Sequence, residues 1–227
     1  MGVKHIISRS SEVFSDRTEA ADRLAQKLQQ FKFDNPVVLG IPRGGIVIAD
    51  HLAHVLQAEL DVVLAHKLGA PANPELAIGA VCEDGTMFVD DRMARAVRAT
   101  DEYIERERWQ QVRLMQRRIA RIREVLPKTE LRDRVVIVTD DGVATGATMK
   151  AAIWAVRRES PRRTVAALPV GPADSIEDLA EAADEVICLQ TPPYFAAIGQ
   201  FYRRFDQVTD AELIDILQHE HDRRCRT

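Results

Sequence analysis

Val135-Val136-Ile137-Val138-Thr139-Asp140-Asp141-Gly142-Val143-Ala144-Thr145-Gly146-Ala147-Thr148 is the stretch on which the fold turns. Its four leading apolar residues suit a strand buried on both faces, and such strands belong to parallel sheets covered by helices. Two adjacent carboxylates, Asp140 and Asp141, emerge at the strand tip, and a loop of small and hydroxyl-bearing residues opens onto a helix. Free N–H groups at that helix N-terminus, with the Thr145 and Thr148 hydroxyls, form a cradle for a dianionic phosphate. The paired carboxylates can accept hydrogen bonds from vicinal hydroxyls of a sugar attached to it. A ribose 5-phosphate satisfies both halves. Competing motifs fail on the same residues. There is no Gly-Lys-Ser/Thr of a Walker loop and no Gly-x-Gly-x-x-Gly after a strand. An Asp-x-Asp-Gly-Thr phosphatase would need its carboxylates one residue apart.

Outward from this stretch the chain alternates strands with helices. Apolar residues at helical spacing, Ala20, Leu24, Leu28 and Phe31, predict a helix over Asp16 to Phe31 behind an Asp16 cap. Pro36 to Ile41 reads as a buried strand that stops at Pro42-Arg43-Gly44-Gly45, and Ile46 to Leu56 as helix. A second apolar run, Leu60 to Ala65, leads to His66-Lys67-Leu68-Gly69. Leu76 to Val81 and Met87 to Val89 flank an Asp84-Gly85 turn, the pattern of a hairpin. An Arg-rich helical stretch runs from Arg92 to Leu126 and ends before Pro127. Strands are expected at Val135 to Val138, Thr164 to Leu168 and Glu185 to Leu189, with helices at Ala147 to Arg158 and Ser175 to Ala183. The last helix is expected at Ala211 to Gln218 after an Asp210 cap. Strand–helix alternation implies right-handed crossovers, hence an open, mostly parallel α/β sheet with helices on both faces.

Composition limits the function classes. With 46% hydrophobic and 29% charged residues, the 227-residue chain is expected to fold rather than stay disordered. Its formal net charge of −4 gives no bulk attraction to nucleic acid or anionic membrane. No apolar run approaches the ~18 residues of a spanning helix, and Met1 to Ser11 lacks the apolar core of a secretory signal. The scattered Cys82, Cys188 and Cys225 imply neither a disulfide framework nor a zinc knuckle, so a reducing cytoplasm is the expected location.

The segment Val135 to Thr148 resembles the ribose-phosphate binding sequence of type I phosphoribosyltransferases, and Leu39-Gly40-Ile41-Pro42-Arg43-Gly44-Gly45 is similar to that family's pyrophosphate loop. The resemblance extends from about Phe14 to Phe205, and its best match is a bacterial group without an assigned substrate. It implies a single domain over residues 1–227, with a helical insertion near 91–127 and a hood from 1–35 and 190–227. It further implies transfer of ribose 5-phosphate from phosphoribosyl diphosphate to a nitrogenous base, with Mg²⁺ as cofactor bound through the ligand near the acid pair. Carried over residue by residue, Asp140 and Asp141 hold the ribose hydroxyls, and Ala144, Thr145, Gly146, Ala147 and Thr148 the 5-phosphate. Arg43, Gly44, Gly45 and Lys67 meet the pyrophosphate, with Lys67 placed at the end of the second apolar strand. The 6-oxopurine enzymes carry an Asp where this chain has Ala144, so hypoxanthine or guanine is a disfavoured acceptor.

The base site is read from the aromatics gathered between Tyr194 and Phe205, of which Tyr194 and Phe195 are candidates for stacking. His66 is expected to be structural, His51 and His54 to be surface residues, and His219-Glu220-His221-Asp222 a solvated helix end. The arginines between Arg92 and Arg123, interleaved with glutamates, read as a solvated helix with internal ion pairs, or as a lid, a dimer arm or an RNA-facing surface. A homodimer is left open. The rival to an enzyme is a non-catalytic regulatory protein that binds phosphoribosyl diphosphate or a nucleotide.

Overall fold

The computed structural model describes residues 2–226. In chain order the elements are β1 (Val3–Ser8), α1 (Arg17–Leu28), β2 (Pro36–Gly40), α2 (Gly44–Leu56), β3 (Glu59–Val62), β4 (Ala65–Ala70), β5 (Asn73–Cys82) and β6 (Met87–Val89). There follow α3 (Asp91–Ala96), α4 (Asp101–Val125), β7 (Val135–Thr139), α5 (Ala147–Arg157), β8 (Arg163–Val170), α6 (Ala173–Ala182), β9 (Glu185–Gln190) and α7 (Asp210–Cys225), with a 3₁₀ turn at Ile198–Phe201.

Six strands form a parallel sheet in the order β1-β9-β8-β7-β2-β3. Side chains alternate across it because the strand period is two. Val38, Ile137, Val165 and Ile187 pack on one face with Leu24, Leu28, Ile48 and Leu52 of α1 and α2. Val37, Val136, Ala166 and Val186 pack on the other with Met149, Ile153, Ile176 and Leu179 of α5 and α6. The expected α/β architecture is therefore observed. A second, antiparallel sheet β4-β5-β6 carries its own core, formed with α3 and α4 around Leu68, Ile78, Val81, Val112 and Met115.

Several boundaries differ from the expectation, each for a physical reason. The apolar run Leu60 to Ala65 is not one strand, since β3 ends at Val62 and β4 starts at Ala65 in the other sheet. Lys67 thus lies inside β4, opposite Ala80 of β5, and does not end a strand of the main sheet. The Arg-rich stretch is two helices, because the Thr100 side chain accepts the Tyr103 N–H and caps a new start. The last helix is capped by Thr209 rather than Asp210, in a reciprocal capping box with Glu212, and continues to Cys225. Glu220, read as solvated, is buried and accepts the Leu60 N–H at 3.0 Å. Of residues 1–35, placed in a hood by the family resemblance, Val3–Ser8 pair with β9 and Arg17–Leu28 cover the main sheet. The segment 191–209 reaches over the carboxyl end of β7, where Tyr202 donates to the Asp141 carbonyl at 2.6 Å. No helix among the described residues is long and apolar enough to cross a membrane.

Candidate active site

The acid pair sits where β7 leaves the sheet. The Thr139 hydroxyl donates to the Ala167 carbonyl of β8 at 2.7 Å, which fixes the strand end just before Asp140. Asp141 is buried, and its Oδ2 accepts from Arg17 Nε at 2.8 Å. Arg17 itself is held by donating to the Asp206 carbonyl at 2.7 Å and by lying 4.0 Å over the Phe205 ring. One guanidinium thereby ties α1, the acid pair and the segment 191–209 together. Nothing in the sequence around Arg17 signalled this, because its partner stands 124 residues away. Burial, and next the neighbouring Asp141 charge, push the Asp140 carboxyl well above the ordinary range, although Arg17 opposes the shift. Asp141 is also raised, by burial, with Arg17 again acting against it.

The loop after the acids is open. Gly146 takes φ +74°, a left-handed value that a side chain resists, and turns the chain into α5 without any side-chain cap. Ala144, Thr145 and Thr148 are exposed, while Thr145 Oγ1 accepts the Ala147 N–H only at 3.4 Å. Ser175 steadies the far side by donating to the Ala144 carbonyl at 2.6 Å. Exposed hydroxyls around an uncapped helix start, with no acidic residue in its first turn, are what an anion needs.

The loop after β2 is packed. A Cβ on Gly44 would fall 2.0 Å from Asp141 Oδ2, and one on Gly45 would fall 2.8 Å from the Thr139 carbonyl oxygen and 2.9 Å from the Asp140 Cα. Gly45 N–H already donates to the Ile41 carbonyl at 3.0 Å. Both glycines therefore allow this turn to lie against the acid pair, a demand distinct from the approach to pyrophosphate that the sequence suggested. The Pro42–Arg43 peptide is cis. Arg43 Nη1 stands 3.6 Å from Asp210 Oδ1.

A cavity of about 80 Å³ joins the two loops, since Ile41 and Pro42 line it with Thr148, His66 and Arg118. His66 reaches it while Lys67 is not among its lining residues, as alternation along β4 sends neighbouring side chains to opposite faces. Of the aromatic candidates, Tyr194 is 85% exposed. Phe195 packs against Phe201 with ring centroids 5.1 Å apart. His51 lies 3.3 Å from Asp22 on the surface. The described residues contain no cluster of three or more His, Cys, Asp or Glu able to hold a metal ion by themselves.

The family model for the phosphoribosyl transferase domain matches residues 14–205. Two Mycobacterium tuberculosis proteins, MT0597 and Rv0571c, both provisionally named phosphoribosyl transferases, are 41% identical over 210 residues; the match takes in 92% of this chain and 47% of each relative. The chain thus spans about half the length of the curated relatives it matches. The crystal structure of TT1426 from Thermus thermophilus is 45% identical, with a TM-score of 0.87 over 91% of this chain and 98% of that one. With the family model over most of the chain and these relatives, the chain belongs to the phosphoribosyl transferase family.

Proposed function

We propose that the chain transfers the ribose 5-phosphate group of phosphoribosyl diphosphate to a nitrogenous base. A C1–N bond forms as the C1–O bond to pyrophosphate breaks, and the electron pair leaves with pyrophosphate. The observation that carries this reading is the position of Asp140 and Asp141 between the open α5 cradle and the packed Arg43 loop. The cradle residues Ala144 to Thr148 take the 5-phosphate through backbone N–H groups and hydroxyls. Arg43, from the other loop, offers a fork of donors to the departing pyrophosphate, while Lys67 lies in β4 outside the lining of the cavity beside that loop. The carboxylates favour the positive charge that develops on the ribose ring.

The donor set fits Mg²⁺. Asp140 and Asp141 present hard oxygen atoms at the end of β7, and burial, then the Asp141 charge, raises the Asp140 carboxyl, so a dication nearby would favour the ionised pair. Bound there through the ligand's own oxygens, the ion would act as a Lewis acid on pyrophosphate. Arg17 orients Asp141 and favours its ionised form against the effect of burial, and Tyr202 pins the Asp141 carbonyl. Tyr194 has an uncommitted ring face for an acceptor base, whereas Phe195 is engaged with Phe201.

The test is pyrophosphate release from phosphoribosyl diphosphate and Mg²⁺ with a panel of purines, pyrimidines and pyridine carboxylates. Turnover is expected with at least one acceptor, falling about 10³-fold in Asp140→Asn/Asp141→Asn. Full activity of that double variant, or binding of phosphoribosyl diphosphate with no release for any acceptor, overturns the reading; the second outcome would leave a regulatory binding protein.

A further inference from the structure

On the reading that phosphoribosyl diphosphate is the donor, we propose that Asp210 is a positioning residue: it holds Arg43 and Arg118 side by side as a pair of guanidinium groups for the pyrophosphate end. Arg43 Nη1 and Arg118 Nη2 each stand 3.6 Å from the same oxygen, Asp210 Oδ1. That oxygen is buried and makes no hydrogen bond. Asp210 is not spent on its own helix either, since the Thr209 hydroxyl caps α7 by accepting the Glu212 N–H. The three residues come from the turn after β2, from α4 and from the first turn of α7.

Distance and charge set this trio apart from the structural ion pairs nearby. Other arginines of α4 donate at hydrogen-bonding distance, Arg108 to Glu105 at 3.0 Å and Arg123 to Asp61 at 2.7 Å. At 3.6 Å neither Arg43 nor Arg118 makes a hydrogen bond to Asp210, and among the described residues neither has another partner. Sharing one oxygen keeps the two like-charged nitrogens no more than twice that distance apart. Arg43 also stands at the N-terminus of α2, where the helix dipole disfavours a cation. Two guanidinium groups against one carboxylate leave a net positive charge with its N–H donors free, and pyrophosphate accepts from such donors in bidentate fashion.

Placement assigns the roles. Arg118 lines the cavity that joins the two loops, together with Ile41, Pro42 and Thr148, and among the described residues no acid lines that cavity. Asp210 instead lines the adjoining groove between α4 and α7, which Arg118 also reaches. The carboxylate thus holds Arg118 from the groove side and leaves the cavity wall without a negative charge that would repel pyrophosphate. Without Asp210 the two like charges repel, and both partly exposed side chains are free to swing into solvent. Each would then have to be re-ordered when the donor binds, at a cost in side-chain entropy.

The test titrates phosphoribosyl diphosphate with Mg²⁺, and separately ribose 5-phosphate, calorimetrically into the full chain, Asp210→Asn, Arg118→Ala and the double variant. Each single substitution should weaken phosphoribosyl diphosphate about fivefold or more and leave ribose 5-phosphate, which lacks the pyrophosphate, within about twofold. In the double variant the loss should fall about threefold or more short of the product of the single losses, because the two residues act as one unit. A merely structural role would weaken both ligands together. The proposal is overturned if the unsubstituted chain binds no phosphoribosyl diphosphate, if Asp210→Asn binds it as tightly or more tightly, if ribose 5-phosphate weakens in parallel, or if the single losses multiply. No acceptor base enters these titrations. A chain that binds the donor but transfers to no base therefore fails the transferase reading alone, whereas intact turnover with unchanged donor affinity in Asp210→Asn fails only the role of Asp210.

Discussion

The turns after β2 and β7 begin alike and end differently. Both leave a buried parallel strand and enter a helix, and the two strands are hydrogen-bonded neighbours. The turn after β2 spends its backbone groups internally, with Gly45 N–H on Ile41 and Ile41 N–H on Thr139, and lies against Asp140 and Asp141 without room for a methyl group. The turn after β7 leaves Ala144, Thr145 and Thr148 exposed around an uncapped helix start. One turn sets the position of the acids and the other offers free donors. Glycine serves close packing in the first, at Gly45, and a left-handed bend in the second, at Gly146.

Substitutions can break this contrast. Gly45→Ala should have the largest effect, because the atoms it meets are backbone and cannot swing aside. We expect a destabilisation of about 1–3 kcal/mol and a loss of kcat/KM of about 10²-fold, measured by thermal melting and by the release assay. Unchanged melting would show that the packed turn yields. Asp140→Asn lies between the two turns and should move stability and activity in opposite directions. The Asp140 carboxyl is raised by burial and by Asp141, so the folded state is penalised as pH climbs through the raised value, and the penalty vanishes below the unfolded value of about 3.9. An amide never ionises. The melting temperature at pH 7 should therefore rise by about 2–4 °C, with the gain shrinking toward pH 4; a fall at pH 7 would mean that the charge is held without cost. Thr148→Ala in the open turn should do least, weakening phosphoribosyl diphosphate about 2- to 10-fold through one lost hydrogen bond, with melting unchanged.

The same contrast explains what could be read from the sequence. The open turn is local, since strand, acids, hydroxyls and helix start follow one another within fourteen residues, and Val135 to Thr148 carried most of the fold and the candidate site. What closes around the acids is not local. Arg17, Tyr202 and Phe205 reach them from the two ends of the matched region, and no periodicity marks a residue that pairs across 124 positions. The run Leu60 to Ala65 hid the passage from one sheet to another, because apolar residues fill both sheets equally well. Val3–Ser8 escaped notice because an edge strand need not be continuously apolar, and Val3 and Ile7 are indeed exposed. Lys67 and His66 show the cost of a register slip, since one residue decides which of them meets the cavity.

The C-terminal helix has a consequence for how molecules of this protein meet each other in a crowded solution. β3 is the last strand on its side of the parallel sheet, and its backbone would present a ready template for a strand from another chain. Glu220 accepts the Leu60 N–H, Arg224 donates to the Leu60 carbonyl at 2.5 Å, and Arg223 donates to the Ala58 carbonyl at 2.6 Å. Three charged side chains of a helix thus impersonate a neighbouring strand and blunt that side of the sheet against self-association. Within the polar stretch His219 to Arg224, which looks like an idle surface in the sequence, Glu220, Arg223 and Arg224 occupy backbone groups that an incoming strand would need.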